Sequence, residues 1–309
     1  MSKLSSLSSN PMIAEYAQTT AAGAIQPIAD YIAPTVAVAT SIGQFKKYNP
    51  KSRFRIPDTR RGIGGRATTL EFSKEDGSYN CEPHAIDVPL DELEKLEEAD
   101  MVNGINERAD EAAYISGLSH EKAVIDAALV AAGAGTGKTW NSSVDPVSDL
   151  DDAILTVMKA AAIGSGMQIG IVFGPTAWKI TKNQAAVRGR IIVGKGAPVA
   201  TAVPTLDSFG TLLIGEPSVR TSFMVADTTK EGLDPVLDFL LSNVVLIFAR
   251  NPNPTRRDPS FMKTFRLRNQ WMKPRFYTRD DNRVEYAGFD WSEDVQVANS
   301  GAVVRLNIS

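Results

Sequence analysis

Between Asn103 and the Gly133–Gly135 cluster the chain holds one helical register. Ala112, Ile115, Leu118, Ile125 and Leu129 recur at spacings of three, three, seven and four, which puts them on a single helix face. At 1.5 Å per residue such a helix is roughly 45 Å long. That is well beyond the three-turn average of globular proteins. Gly117 is its one soft point.

A second helix follows, with Ser148 as N-cap, Asp149, Asp151 and Asp152 in the first turn, and a stripe of Leu150, Ile154, Val157, Met158 and Ala161. Gly164 ends it. Strand signals come next at Gln168–Phe173, Leu212–Ile214, Ser222–Val225 and Val244–Phe248, with a Gly174-Pro175 turn and a short helix at Thr176–Asn183. The last stretch is β-rich: Phe265 and Leu267 alternate with Arg266 and Arg268, and Val284–Phe289, Val295–Ala298 and Ala302–Leu306 follow. Residues 1–44, rich in Ala, Ser and Thr without a period, read as an extended arm that gains order on another surface. Arg53–Ile56 and Thr68–Phe72 flank Gly62, Gly64 and Gly65 as the two strands of a long hairpin would. That hairpin is too polar to hold a core, and an isolated ribbon is marginal in water. The class is mixed α+β.

Composition excludes more than it assigns. The chain has 309 residues, 43% hydrophobic and 22% charged, which argues against wholesale disorder. Length gives a prior of about two domains. One cysteine, Cys81, builds no intrachain disulfide and fits a reducing compartment. The most apolar stretch, Pro235 to Ala249, is broken by Asp238, Ser242 and Asn243 and is too short for a bilayer needing about 20 apolar residues. Lys3 is followed by serines and not by an apolar run, so a signal peptide is not expected, and the reading is a soluble intracellular product.

The net charge of −3 hides its arrangement. Residues 45–66 carry eight basic groups against Asp58, a balance of +7. Residues 91–112 carry nine acidic against two basic, or −7, and residues 249–283 carry ten basic against three acidic, again +7. Blocks of opposite sign are the solvated faces of a monomer or complementary patches on copies of one chain.

Chemistry is thin. Ala132-Gly-Ala-Gly-Thr-Gly137-Lys138-Thr139 fits a relaxed phosphate-loop pattern. A helix precedes it where a buried strand should stand, and Trp140-Asn-Ser-Ser-Val-Asp-Pro146 follows where a helix should begin. It reads better as a flexible loop between two helices. His84 and His120 are the only histidines. Cys81 and His84, an odd number of residues apart, face opposite sides of a strand and make no thiol dyad. No CxxC, HExxH or GxSxG motif occurs, so no catalytic, cofactor or metal residues are assigned. Phe261, Phe265, Trp271, Phe276 and Tyr277, interleaved with arginines, suit a β-core with outward Arg better than a base-stacking surface.

Taken in order, these segments resemble the HK97-like major capsid proteins of tailed double-stranded DNA bacteriophages, over residues 45 to 306. Tyr79-Asn-Cys-Glu-Pro-His-Ala-Ile86 resembles the stretch that leaves the family's extended loop. Glu121 matches a recurrent glutamate of its spine helix. Ile169-Gly-Ile-Val-Phe-Gly-Pro-Thr-Ala-Trp178 with Ala186-Val187 resembles the axial domain's strand–turn–helix, and Asp258-Pro-Ser-Phe261 with Thr264-Phe265 the return to the peripheral domain.

The resemblance implies an α+β HK97-like fold: an N-terminal arm at 1–44, an extended loop at 45–82, a peripheral domain with the spine helix at 83–146 and 251–309, and an axial domain at 147–250. It implies a structural, non-enzymatic protein that assembles with itself, as hexamers and pentamers, into an icosahedral shell around non-specifically held DNA. A portal and a separate scaffolding protein are the further partners, and no membrane is involved. The virion capsid is the expected location, after assembly in the host cytoplasm. Charge pairing adds an expected subunit interface: Arg53, Arg55, Arg60, Arg61 and Arg66 of the loop against Glu94, Glu97 and Glu98 of a neighbour. Lys46, Lys47, Lys51 and Lys74 carry no motif for a covalent crosslink. The rival readings are an encapsulin compartment of the same fold, a phosphate-loop nucleotide-binding protein and a monomeric nucleic-acid binder.

Overall fold

The computed structural model describes residues 28–47, 59–61, 63–66, 75–91, 101–141, 144–161, 167–191, 204–230, 232–256, 258–278 and 284–309. The chain opens with a one-turn helix, α1 (Ile28–Ile32), and two strands, β1 (Thr35–Val38) and β2 (Ile42–Lys47). The strands β3 (Glu75–Asn80) and β4 (Glu82–Asp91) lead to the long helix α2 (Met101–Ala132), within two residues of its expected start. Then come β5 (Thr136–Lys138), α3 (Pro146–Ala161), β6 (Gln168–Phe173), α4 (Pro175–Asn183), α5 (Ala185–Arg190) and α6 (Leu206–Gly210). The rest is β7 (Ser218–Thr221), β8 (Val225–Asp227), β9 (Leu237–Phe239), β10 (Val244–Arg250), β11 (Met262–Leu267), β12 (Lys273–Thr278), β13 (Val284–Val297) and β14 (Val303–Ile308).

Two five-stranded sheets carry the fold. In the first, β13 is the spine: β4 runs along one edge, while β11 and β12 share the other, and β1 adds parallel to β11. The two sequence signals at 284–289 and 295–298 are thus one 14-residue strand. Between β11 and β12 the register on β13 slips by four residues. Asn269 and Met272, both at positive φ, absorb the slip and turn Met272 into the core. The second sheet runs β5-β14-β10-β6-β7. Its central strands are buried on both faces, as an apolar run without alternation requires. The last strand, β14, joins this sheet, although its neighbours β11–β13 lie in the first.

The long helix buries part of the expected stripe, Ala112 and Ile125 fully and Leu118 and Leu129 partly, within a wider face. Ile115 is 48% exposed, and Ala109, Ala112, Ala113, Ser116, His120, Glu121, Val124, Ile125 and Ala128 are inside. Their spacing of three and four is helical. Mostly small side chains let α2 lie close against β13 and β4.

The arm also departs from expectation. Ile28, Ala29, Tyr31, Ile32 and Ala33 are buried within their own chain, against α2 and β10. Further corrections are local. Residues 212–214 turn after α6, and of the expected strand at 222–225 only Val225 is in β8, while 222–224 separate it from β7. The second helix starts at Pro146, with Asp145 Oδ1 accepting the Val147 N–H at 3.2 Å, so Asp145 and not Ser148 caps it.

Candidate functional site

At the root of the hairpin, β2 and β3 pair antiparallel from Ile42↔Asn80 to Lys47↔Glu75. Phe45 and Tyr79 pin this ribbon to the first sheet, 5.1 and 4.6 Å from the Phe265 ring. Gly77 is required there, because a Cβ would come within 2.5 Å of the Phe45 ring. Of the expected interface residues, Arg60, Arg61 and Arg66 are exposed, and Arg61 donates to Gly65 O at 3.2 Å. Arg53, Arg55, Glu94, Glu97 and Glu98, with most of the expected hairpin, lie outside the described residues.

Beneath the first sheet sits a buried polar cluster on which sequence reasoning placed no role. His120 Nδ1–H donates to Glu293 Oε1 at 2.8 Å, Trp291 Nε1–H reaches the same oxygen at 3.2 Å, and Arg266 Nη2 donates to Oε2 at 2.9 Å. Burial pushes the Glu293 carboxyl up, but the His120 hydrogen bond and charge, with Arg266, outweigh it and hold it at about 2. Arg266 also stacks on Trp271, 3.4 Å from the ring centre. Glu121 faces the other way. Both its oxygens accept the Ala29 N–H at 2.9 Å, tying α2 to the first turn of α1. Burial drives its carboxyl up to about 7, against the Ala29 hydrogen bond and the charge of His120.

The glycine-rich segment builds no phosphate cradle. Gly133 and Gly135, at φ of 69° and 73°, turn the chain into β5, which pairs parallel with β14. The expected flexible loop therefore contains a strand. Lys138 Nζ donates to Asp149 Oδ1 at 2.7 Å, and Trp140 Nε1–H to Oδ2 at 2.9 Å. Cys81 and His84 do face apart. Cys81 is buried, with Sγ donating to Phe265 O, and burial with Asp294 and Glu293 pushes its thiol to about 11. His84 is exposed and stacks on Trp291 at 5.3 Å. Among the described residues no His, Cys, Asp and Glu group could hold a metal ion, and no helix is long and apolar enough to cross a membrane.

One surface went unread. β8 and β9 form a two-stranded ribbon, paired with no other sheet among the described residues. Leu233, Val236, Leu237 and Phe239, with Phe223 before it, are exposed there, Leu237 to 70%. Apolar side chains at such density are unusual on the surface of a two-stranded ribbon. The signal was present in Gly232-Leu-Asp-Pro-Val-Leu-Asp-Phe239, its Pro235–Phe239 part weighed only for its ability to span a bilayer.

No protein-family model and no curated protein matches the sequence. The fold does match solved structures. A phage-related protein of Bordetella bronchiseptica RB50 superposes with a TM-score of 0.67, at 16% identity over 96% of each chain. The capsid structure of cyanophage P-SCSP1u gives 0.54 at 12% identity, over 90% of this chain and 86% of that one. An encapsulin complex from Synechococcus elongatus PCC 7942 gives 0.58 at 12%, over 92% and 88%. The chain has the HK97-like fold shared by phage capsids and encapsulins, as its segments led one to expect.

Proposed function

We propose that the chain is the major capsid protein of a tailed double-stranded DNA bacteriophage, whose copies close into an icosahedral shell around the genome. A fold shared with capsid and encapsulin structures over nine-tenths of the chain carries this reading, supported by apolar surface that a lone copy leaves exposed. In it α2 is the spine helix. The arm is 1–44, the extended loop 45–82, the peripheral domain 83–146 with 251–309, and the axial domain 147–250. Pairing of β14 with β10 ties the end of the chain to the axial sheet.

Each contact in such a shell can be modest, because one subunit is held by several neighbours at once. Closed symmetry needs complementary patches on the same chain. The basic loop, with Arg53, Arg55, Arg60, Arg61 and Arg66, would lie on the acidic start of a neighbour's spine, at Glu94, Glu97 and Glu98. The β8–β9 ribbon would bury its apolar side chains against the next copy. The role is structural, with assembly in the host cytoplasm alongside a portal and a separate scaffolding protein.

The test is to express the chain alone and follow it by size exclusion and negative-stain microscopy. Uniform particles, or free pentamers and hexamers, are expected. A chain that stays monomeric at every concentration overturns the reading. A particle that takes up a protein cargo and no DNA would point to the encapsulin use of the same fold.

A further inference from the structure

Tyr31 is clamped between two arginines that face no acid among the described residues. Its ring lies on the second sheet over Gly170, where a Cβ would come within 2.9 Å of Tyr31 Oη and 3.0 Å of the Phe248 ring. Oη donates to Ser218 O, and the ring meets Phe248 edge-on at 5.6 Å. Ser218, Gly170 and Phe248 are register partners across β7, β6 and β10. Arg220 stands two residues along in one direction, level with Val172, and Arg250 two along in the other, level with Gln168. Their guanidinium carbons lie 4.4 and 4.3 Å from the Tyr31 ring centre, so no more than about 9 Å apart. Tyr31 is 2% exposed beneath them, while Arg220 is exposed and Arg250 half-buried.

Other arginines here are matched: Arg266 to Glu293, Arg275 to Asp87 and Asp290, and Arg190 to Asp145. Among the described residues no carboxylate pairs with Arg220 or Arg250. Burial and the like charge of Arg220 hold Arg250 below the ordinary guanidinium range, with Tyr31 opposing. Stacking on the ring fixes both guanidinium planes and leaves their N–H edges for an oxyanion.

We infer that Arg220, Tyr31 and Arg250 form a phosphate-binding site whose ligand is a nucleic-acid backbone. A carboxylate of a neighbouring copy that bridged both groups is the competing occupant, and loss of particles with unchanged salt slopes would reveal it. A nucleic-acid strand, with a charge about every 3.4 Å of axis, reaches both. The inference rests on the reading of the chain as a genome-enclosing shell and adds which face of the second sheet meets the genome.

The test uses the full-length chain and a labelled DNA duplex, with affinity measured by anisotropy between 50 and 200 mM salt. Each phosphate contact contributes about 0.9 to the slope of log K against log salt. Arg220→Gln, at an exposed position, should reduce the slope by about 0.9 with Tm unchanged. Adding Arg250→Gln should bring the reduction to about 1.8, so the wild-type advantage shrinks roughly tenfold over that salt range. Unchanged slopes overturn the site. Lost particle formation with unchanged slopes overturns it too, in favour of a carboxylate on the next copy. If the wild type forms no particles but the slopes fall as stated, the site stands and the shell reading falls.

Discussion

Lys138 Nζ donates to Asp149 Oδ1 at 2.7 Å, so the lysine of the glycine-rich segment is occupied by the first turn of α3. Trp140 Nε1–H takes the other oxygen of the same carboxylate. The pair is a clasp between the β5 edge of the second sheet and its covering helix. Because Lys138 is one-third exposed, the ion pair itself is worth little, and the clasp acts mainly through Asp149. Lys138→Met should lower unfolding stability by about 1 kcal/mol, and Asp149→Ala by about 2, since it also orphans the indole N–H. Urea unfolding measures both. Mg-ATP should leave the Tm of the wild type unmoved, and a rise abolished by Lys138→Met would revive the nucleotide reading.

Two buried carboxyls give the stability opposite pH slopes. Glu121 titrates at about 7 when folded against an ordinary 4.5, so the folded chain keeps a proton that the unfolded chain has released. Its contribution is full below about pH 4.5 and is lost as pH rises through 7. Glu293 titrates at about 2 against 4.5, and its contribution is present above pH 4.5 and lost as pH falls toward 2. Each limb amounts to roughly 3 kcal/mol. Urea unfolding from pH 3 to 8 should show Glu121→Gln flattening the upper limb alone. An upper limb that survives in that variant would mean another group carries it.

What could be read from the sequence was whatever one segment decides by itself. The long helix, β6 with its Gly-Pro turn, and β10 were located within a few residues, because period and breakers are local. The phosphate-loop reading failed on local context too, and Lys138 went to Asp149. Long-range pairing was illegible. Nothing local says that 303–308 joins 136–138 in one sheet, or that Asp290, Ser292 and Glu293 continue one strand through the middle of β13. The breadth of α2's buried face and the exposure of Ile115 were missed because alanines, His120 and Glu121 give that face little hydrophobic contrast. The Tyr31 clamp joins three separate segments, with Arg220 and Arg250 thirty residues apart and Tyr31 far upstream of both, so no motif announces it.

Lys263 is fully buried, with Nζ donating to the carbonyls of Thr255 at 2.6 Å and Asp258 at 2.9 Å and paired with the Asp258 carboxylate at 3.1 Å. That carboxylate also accepts the Thr255 and Ser260 N–H groups, which folds Asp258-Pro-Ser-Phe261 into a turn leading to β11. Lys263→Ala leaves the acid and two carbonyls unmatched and should cost about 3–5 kcal/mol. Lys263→Arg should recover little, because a planar fork does not fit three acceptors arranged around one ammonium. Denaturant midpoints decide, and a loss under 1 kcal/mol for the alanine variant would show that the site is open to water.

The β8–β9 ribbon offers the sharpest separation of folding from assembly. Leu237 is 70% and Phe239 41% exposed on the two-stranded ribbon, so replacing Leu237 removes little that the single chain buries and replacing Phe239 removes a part of its ring contact. If the next copy covers them, each withdraws about 1.5–3 kcal/mol of apolar burial per contact, repeated at every copy of the shell. Leu237→Asp with Phe239→Ser should therefore leave the Tm of the unassembled chain within a few degrees and abolish particles on size exclusion. Asp238, between them on the same strand, is the control: Asp238→Asn keeps the apolar pair and should assemble. Normal particles from the double variant would place the subunit contact elsewhere and leave the ribbon's exposed apolar surface for a different partner.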